Sequence, residues 1–446
     1  MKPNKIIEPW KGDKRFTAMA ARAAQLKKAG QSVEQIVAAI SAEFGPPPSF
    51  GRLHDTPRPY RVYGSVGDDI DPAALAQLEL ALRLPVAVQG ALMPDAHHGY
   101  ALPIGGVFAA HRAVAPAMVG VDIACRMHLT IFDAEPDEFH KQRPALFETL
   151  KDVTVFGTGG TRPRPADHAV LDDPRWQLTS QLRGLRDKAA AQLGTSGSGN
   201  HFAELVLGET LDDAGETASA LPRQRFCGLL THSGSRAVGY AIANSYSRLA
   251  AQETARVAKV PKFYEWLSLD SEAGQEYWQA MHLAGDYAQA NHEVIHAAFA
   301  RRSRLAPLAV IENHHNFAWQ VGDLVIHRKG ATPAEAGVLG VIPGSMASPS
   351  YIVEGQGVAE ALNSASHGAG RRGSRHEARA SIGLGEVRRA LQQADILVEG
   401  LSADEAPAAY KDIERVMQLQ LDAGLVRPLA RMRPIAVVMA GEAGED

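Results

Sequence analysis

Only two cysteines occur in the 446 residues, Cys125 and Cys227. Two thiols can build neither a disulfide framework nor a four-cysteine zinc site, so a reducing compartment is expected. No window approaches 18 uninterrupted apolar residues, so no transmembrane helix is expected. The first ten residues are polar and charged, without an apolar signal segment. The cytoplasm is therefore the expected location. Charge of neither sign dominates: 46 Lys and Arg stand against 50 Asp and Glu, a net charge of −4. That argues against a wholly basic nucleic-acid coat and leaves room for a local basic groove. Long-period repeats and low-complexity linkers are absent as well.

Hydrophobic content (45%) and charged content (22%) are those of an ordinary globular protein. Length alone would allow two or three domains, or one elaborate unit. With no linker to divide it, the chain reads as an α+β protein. The expectation is a single large mixed α/β unit over 56–446, its strands ending at a central cleft, with a small helical appendage over 1–55. In the appendage, apolar positions at helical spacing over 13–44 break at Gly30-Gln31-Ser32. Ser32 is placed to cap a second helix with Gln35 at the capping-box position, and Pro46-Pro47-Pro48 ends it. Further helices are expected over 71–84, 137–150, 239–254, 262–300, 376–395 and 408–424. Strands are expected at 205–207, 226–230, 308–311, 324–326, 338–342 and 435–439.

The stretch 93–127 organises the rest. Asp95, His97 and His98 precede a small apolar segment, 101–110, that reads as buried strand and tight turn. Asp122 and Cys125 follow. A carboxylate and a thiol three residues apart can reach one divalent ion if the chain turns there, although a cysteine beside a turn is more often core. Four further positions repeat the pattern of strand, ionisable group and Gly/Ser turn: His201, His232, His314/His315 and His367. Together they suggest convergence on one cleft with open metal positions; thiolate and imidazole suit late divalent ions and carboxylate also suits manganese. The histidines His282, His292 and His296 sit on an amphipathic helical pattern and read as structural or exposed.

Gly-rich turns at 196–199, 233–235, 344–345 and 368–370 can offer backbone N–H groups to anions. None matches the P-loop pattern. Arg236, His327, Arg328, Lys329, Arg371 and Arg375 lie near these turns. Glycine turns and cations repeated around a metal site favour phosphoryl or nucleotidyl transfer.

Several segments carry a specific resemblance: Met-Pro-Asp-Ala-His from 93, Val-Gly-Val-Asp-Ile-Ala-Cys from 119, Gly-Ser-Gly-Asn-His-Phe from 197 and His-Ser-Gly-Ser-Arg from 232. His-His-Asn from 314, Arg-Lys-Gly-Ala from 328, Pro-Gly-Ser-Met from 343, Ser-His-Gly-Ala-Gly-Arg from 366 and Tyr-Lys-Asp-Ile from 410 continue it. In residue types and order they resemble the RtcB family of RNA-splicing ligases. The resemblance implies an RtcB-type fold and a GTP-dependent ligase joining RNA 3′-phosphate or 2′,3′-cyclic phosphate ends to 5′-hydroxyl ends. It implies that His367 is the nucleophile that carries GMP. It implies two manganese ions bridged by Cys125, with Asp122 and His201 completing one site and His232 and His315 the other. The implied guanylate-binding residues are Asn200, His201, Phe202, Ala203, Glu204, His315, Asn316, Pro343, Gly344, Ser345, Met346, Ser350, His367, Gly368, Ala369 and Gly370. Asp95, Arg126, Arg236, Arg328, Lys329, Arg371 and Arg375 are expected around them or on an RNA-facing rim. Implied partners are broken RNA ends and GTP, with the need for an activating protein left open, a monomer as the default and no membrane. Two departures stand out: Arg126 follows the cysteine where the family usually has Gly, and Met439-Ala440 stands where it usually has a guanine-reading lysine. The alternatives are a metal-dependent phosphoesterase or nucleotidyltransferase that does not seal, and a non-catalytic RNA-end-binding protein.

Overall fold

The computed structural model describes residues 1–10, 13, 15–45, 51–211 and 221–441. Its architecture is mixed α/β, built around an eight-stranded sheet. Seven strands follow in the order Leu339–Ile342, Ser350–Gly355, Val426–Met439, Phe202–Thr210, Arg225–Ser233, Arg126–Phe132 and Pro307–His314, all antiparallel to their neighbours. Leu397–Glu399 adds in parallel to the long strand. The two ends of this path meet: Asn313 Nδ2 donates to the Val341 carbonyl at 3.2 Å, and Asn313 Oδ1 accepts from Val341 N at 2.8 Å. The sheet is thereby curled into a nearly closed barrel.

Side-chain alternation explains why all of Arg126–Phe132 is buried. Met127, Leu129 and Ile131 point into the barrel, where they join Val206, Phe226, Leu230, Ile311, Val341 and Met432. Each such side chain contributes about 1.5–3 kcal/mol through burial. His128, Thr130 and Phe132 point the other way, onto His292, His296 and Phe299 of the helix Glu272–Ser303. One strand therefore serves two cores.

A second sheet has the order Tyr60–Val62, Ala87–His97, Ile104–His111, Leu324–Lys329 and Phe317–Val321. The short ladder Ala331–Pro333 with Ser364–Ser366 leads directly into His367. At the N-terminus the helices Phe16–Lys28 and Val33–Phe44 form, and both hydrogen bonds of the Ser32/Gln35 capping box are made. They pack around their own cluster with Ile6, Ile7 and Trp10. The expected stop at 46–48 lies outside the described residues.

Several boundaries differ from the sequence expectation. The helix expected over 137–150 is two, Pro136–Lys141 and Arg143–Val153, because Pro144 has no N–H to continue the first. The helix expected over 262–300 starts only at Glu272, where Ser271 caps Gly274 N at 3.1 Å; Leu267–Ser268 instead pairs with Ala113–Val114. The segment 376–395 breaks into Arg375–Ser381 and Leu384–Gln393. The segment 408–424 shortens to Ile413–Asp422, capped by Asp412. The last strand is longer than expected, Val426–Met439, with a register shift between Pro434 and Ala436 where proline cannot donate. No helix among the described residues is long and apolar enough to cross a membrane.

Candidate active site

Strand register brings the ligand types together. Arg126 pairs with Ser233 on one side and His314 on the other. One residue earlier, Cys125 accepts from His315 N through its carbonyl at 2.9 Å. A slip of one residue would turn these side chains to the opposite face. Ala124, at φ 55°, supplies the turn that lets Asp122 and Cys125 face one point. Asn316 braces it: its carbonyl accepts from Ala124 N at 2.9 Å and its Nδ2 donates to the Asp122 carbonyl at 3.3 Å. Gly234 is required opposite, since a Cβ there would overlap the Asp122 carboxylate.

Cys125 Sγ lies 3.0 Å from His232 Nε2 and 3.4 Å from His201 Nε2. His201 Nε2 is also 2.9 Å from Asp122 Oδ2, and His232 Nε2 is 3.4 Å from His315 Nε2. The other ring nitrogens of His201 and His232 face the carbonyls of Ser196 (2.8 Å) and Asn200 (3.0 Å). Those carbonyls can only accept, so Nδ1 carries the proton on both rings and both Nε2 atoms are lone-pair donors aimed at one thiol. A single S–H proton cannot serve them both, whereas a cation can. The ligand atoms of Cys125, His232 and His315 lie within 4.8 Å of one another, as do those of Asp122, Cys125 and His201. The residues thus fit a pair of divalent ions sharing Cys125. Burial drives His232 down to about 3 and His315 well below the usual imidazole range, so both stay neutral. Burial and the Asp122 carboxylate push the Cys125 thiol well up, a penalty that a bound cation reverses.

His367 shares a cavity of about 340 Å³ with Asp122, Cys125, His232 and His315. Its ring lies 4.8 Å from that of His315, and its Nδ1 is 2.6 Å from Asp95 Oδ2. Asp95 is fully buried and also accepts from His367 N at 3.3 Å. Gly370, at φ 74°, packs on the Asp95 carbonyl so closely that no Cβ would fit. Lys411 Nζ donates to the carbonyls of Pro94 (3.3 Å) and Ala96 (2.6 Å), fixing the residues on both sides of Asp95.

Most residues of the expected nucleotide set line this cavity, from Asn200, Phe202 and Glu204 to Pro343–Met346, Ser350 and Gly368–Gly370. Ala203, on the opposite face of its strand, points into an apolar cluster with Leu205 and Leu229. Glu204 is buried without a cationic partner, and burial raises it to about 8, with Ser350 opposing. Met439, at the position where the resemblance expects a lysine, lies on the cavity wall; sequence reasoning missed Glu405 and Val437 there. It also missed Asn291. From the middle of the long helix, Asn291 Oδ1 accepts from Gly194 N (2.7 Å) and Thr195 N (3.0 Å), and its Nδ2 donates to the Thr195 carbonyl (2.8 Å) and Ser233 Oγ (3.2 Å). Ser233 Oγ in turn donates at 2.8 Å to the Ser196 carbonyl that holds His201. An asparagine inside a helix was the one available signal.

Among the basic residues, Arg371 and Arg375 line the cavity. Arg375 pairs with Asp404 at 2.7 Å and with Glu405. Arg371 Nη2 donates to the Asp404 carbonyl at 2.7 Å, while its Nε makes no hydrogen bond. Arg236 is tied to Thr195 Oγ1 and the Gly157 carbonyl, both at 3.2 Å. Three arrangements correct the expectation. Arg328 is 1% exposed, bonded to Ser364, Glu335 and two carbonyls and stacked on Trp319, so it is not on a rim. Lys329 is buried and donates to the carbonyls of Tyr100 and Ala117; burial lowers it to about 7. Arg126 is paired with Glu312 at 2.8 Å and neither crowds the ligands nor faces the cavity. His314 turns away too, onto Phe317 and Trp319.

A family model described as tRNA-splicing ligase RtcB matches residues 77–187 and 174–440. The RNA-splicing ligase RtcB of Mycobacterium tuberculosis is 31% identical over 413 residues, covering 78% of this chain and 95% of the relative. The tRNA-splicing ligase RtcB of Thermococcus kodakarensis is 30% identical, covering 78% and 86%. The RNA-splicing ligase RtcB of Escherichia coli K12 is 29% identical, covering 83% and 95%. With its thiol–imidazole cluster and its Asp95–His367 pair in one cavity, and with these matches over most of its length, the chain belongs to the RtcB family of tRNA-splicing ligases.

Proposed function

We propose that this chain is an RNA ligase that joins ends bearing a 3′-phosphate or 2′,3′-cyclic phosphate to ends bearing a 5′-hydroxyl. It would use GTP as co-substrate and two manganese ions, through a guanylylated His367. The observation that carries this reading is the placement of His367, oriented by Asp95, in the same cavity as Asp122, Cys125, His232 and His315, with His201 against Asp122 and Cys125. Manganese held by that set would supply positive charge to the reacting phosphates and keep Cys125 as thiolate.

The residues of the chain do the rest. Asp95 Oδ2 accepts the His367 Nδ1 proton, which leaves the Nε2 lone pair free. His367 Nε2 bonds to the α-phosphorus of GTP; the bridging P–O bond breaks and its electron pair leaves with pyrophosphate. An oxygen of the RNA 3′-phosphate then displaces His367, forming a phosphoanhydride to GMP. The 5′-hydroxyl of the second RNA attacks the RNA phosphorus, gives its proton to solvent, and GMP leaves. A cyclic phosphate is first opened by water to the 3′-phosphate. Arg371, with its Nε uncommitted, is placed to hold a phosphate in the cavity.

The test combines α-labelled GTP and Mn²⁺ with RNA of defined ends. The expected result is an acid-labile, base-stable adduct on His367 and a sealed product. His367→Ala should abolish both, yet still seal RNA already carrying the 3′-guanylate. Label on a lysine, or undiminished in His367→Ala, would overturn the assignment. Label without sealing would favour a nucleotidyltransferase.

A further inference from the structure

Two large aromatic rings stand in solvent, one of them on the loop between two cavity-lining residues. Tyr100 is 75% exposed and Phe263 41%, and their rings meet edge to face at 6.2 Å. Tyr100 lies between His97 and Ile104, both of which line the cavity. Val121, 52% exposed, is next to Asp122, and Gly120 packs on the Lys329 side chain that carries Tyr100. Tyr100, and with it Phe263, is thereby tied to segments that line the cavity.

The pair is also held rigidly. Gln77 donates to the Gly99 carbonyl at 2.5 Å and accepts from Gly99 N at 2.9 Å, fixing the residue before Tyr100. The Tyr264 hydroxyl donates to the Gln77 carbonyl at 3.5 Å, fixing the residue after Phe263. Lys329 Nζ holds the Tyr100 carbonyl. Phe263 sits at φ 76°, a region that bulky side chains rarely adopt. One helical residue thus pins both loops, and nothing in the core requires either ring to face water. Lys262 Nζ lies 4.7 Å from the Phe263 ring centroid, and Lys259 and Lys262 are exposed with no ion pair among the described residues. Exposed rings with interleaved cations are what single-stranded nucleic acid binds, by stacking its bases and neutralising its phosphates.

We propose that Tyr100 and Phe263 form a preformed stacking platform for a base of an RNA strand entering the cavity, with Lys259 and Lys262 meeting its phosphates. The proposal rests on the RNA-ligase reading and adds to it a binding subsite and the path of one strand.

The experiment uses single-stranded RNA with 2-aminopurine beside either the 3′-phosphate or the 5′-hydroxyl, titrated with the full chain. Stacking should quench one of the two probes. Tyr100→Ala and Phe263→Ala should lose the quench and weaken that RNA about tenfold each, while Tyr100→Trp keeps both. Both rings being exposed, the melting temperature should stay at that of the wild type. Lys259→Ala with Lys262→Ala should flatten the salt dependence of binding. Quench and affinity unchanged within about twofold in Tyr100→Ala/Phe263→Ala, in a protein that still seals RNA, would overturn the platform alone. A wild type that neither labels His367 nor seals RNA would overturn the ligase reading itself.

Discussion

Two groups of buried histidines lie on either side of the same strands. His201, His232 and His315 converge on Cys125 beside the cavity; on the other side His128 meets His292 and His296 of the long helix Glu272–Ser303. Burial alone does not separate them, since it pushes His292 and His296, like His315, well below the ordinary imidazole range. Their hydrogen-bond partners do. His292 is closed by Thr231 Oγ1 (2.6 Å) and the Ser233 carbonyl (3.1 Å), and His296 by Thr231 Oγ1 (2.8 Å) and Thr130 Oγ1 (2.7 Å). His201 and His232 instead meet a carbonyl at Nδ1 and leave Nε2 pointing at a shared thiol. A histidine becomes a ligand where the fold leaves one nitrogen without a proton donor, and a strut where it satisfies both. The carboxylates repeat the contrast. Burial resists ionisation of Glu312, yet the His128 hydrogen bond and the Arg126 charge hold it at about 2. Glu204, on the cavity side, lacks such partners and rises to about 8.

Four changes test that contrast, from the largest effect to the smallest. Cys125→Ala removes the atom toward which the cavity histidines turn. It should lose bound manganese and sealing altogether, measured by metal analysis after gel filtration; full metal content would remove the idea. Cys227→Ala, in an apolar cluster on the barrel, should keep its metal. Asn291→Ala releases the loop that carries the Ser196 carbonyl. A roughly 10- to 100-fold weaker manganese affinity is expected by titration, the usual effect of losing an outer partner of a ligand. Unchanged affinity would make Asn291 a packing residue only.

Thr231→Val strikes the other face. It deprives two buried imidazoles of a hydroxyl and should cost about 1–3 kcal/mol in denaturant unfolding while the metal stays bound. Metal loss there would show that the two groups are not separate. The smallest effect, taken per pH unit, concerns pH. Glu204 has its folded pKa raised above the unfolded value, so its folded form keeps a proton that the unfolded chain releases. Stability should therefore fall as pH rises from about 4.5 toward about 8, by at most about 1.4 kcal/mol per unit. Glu204→Gln should flatten that slope, read from unfolding midpoints across the range. Glu312, with its pKa depressed, has the opposite sign: its contribution is present above about 4.5 and lost as pH falls toward about 2.

The sequence by itself determined the chemistry that could be present. Asp122, Cys125, His201, His232, His315 and His367 were legible because thiol is scarce and these groups stand beside glycine turns in a specific order. The Ser32/Gln35 cap was legible because capping is local, decided within four residues. Tertiary structure decided the rest. Arg328 and Lys329 looked like a phosphate-facing pair, but the pairing of Leu324–Lys329 with Ile104–His111 buries them, and burial is not written in a basic dipeptide. The strand 426–439 was visible only at its end, since Arg427, Arg431 and Arg433 and two prolines hide a largely buried strand that its neighbours complete. His232 stands beside a Gly/Ser turn and His292 inside a helical pattern, but neither pattern shows what meets the ring's second nitrogen. Which becomes a ligand depends on which carbonyl or hydroxyl comes from another part of the chain to meet its second nitrogen, and only strand register and helix docking set that.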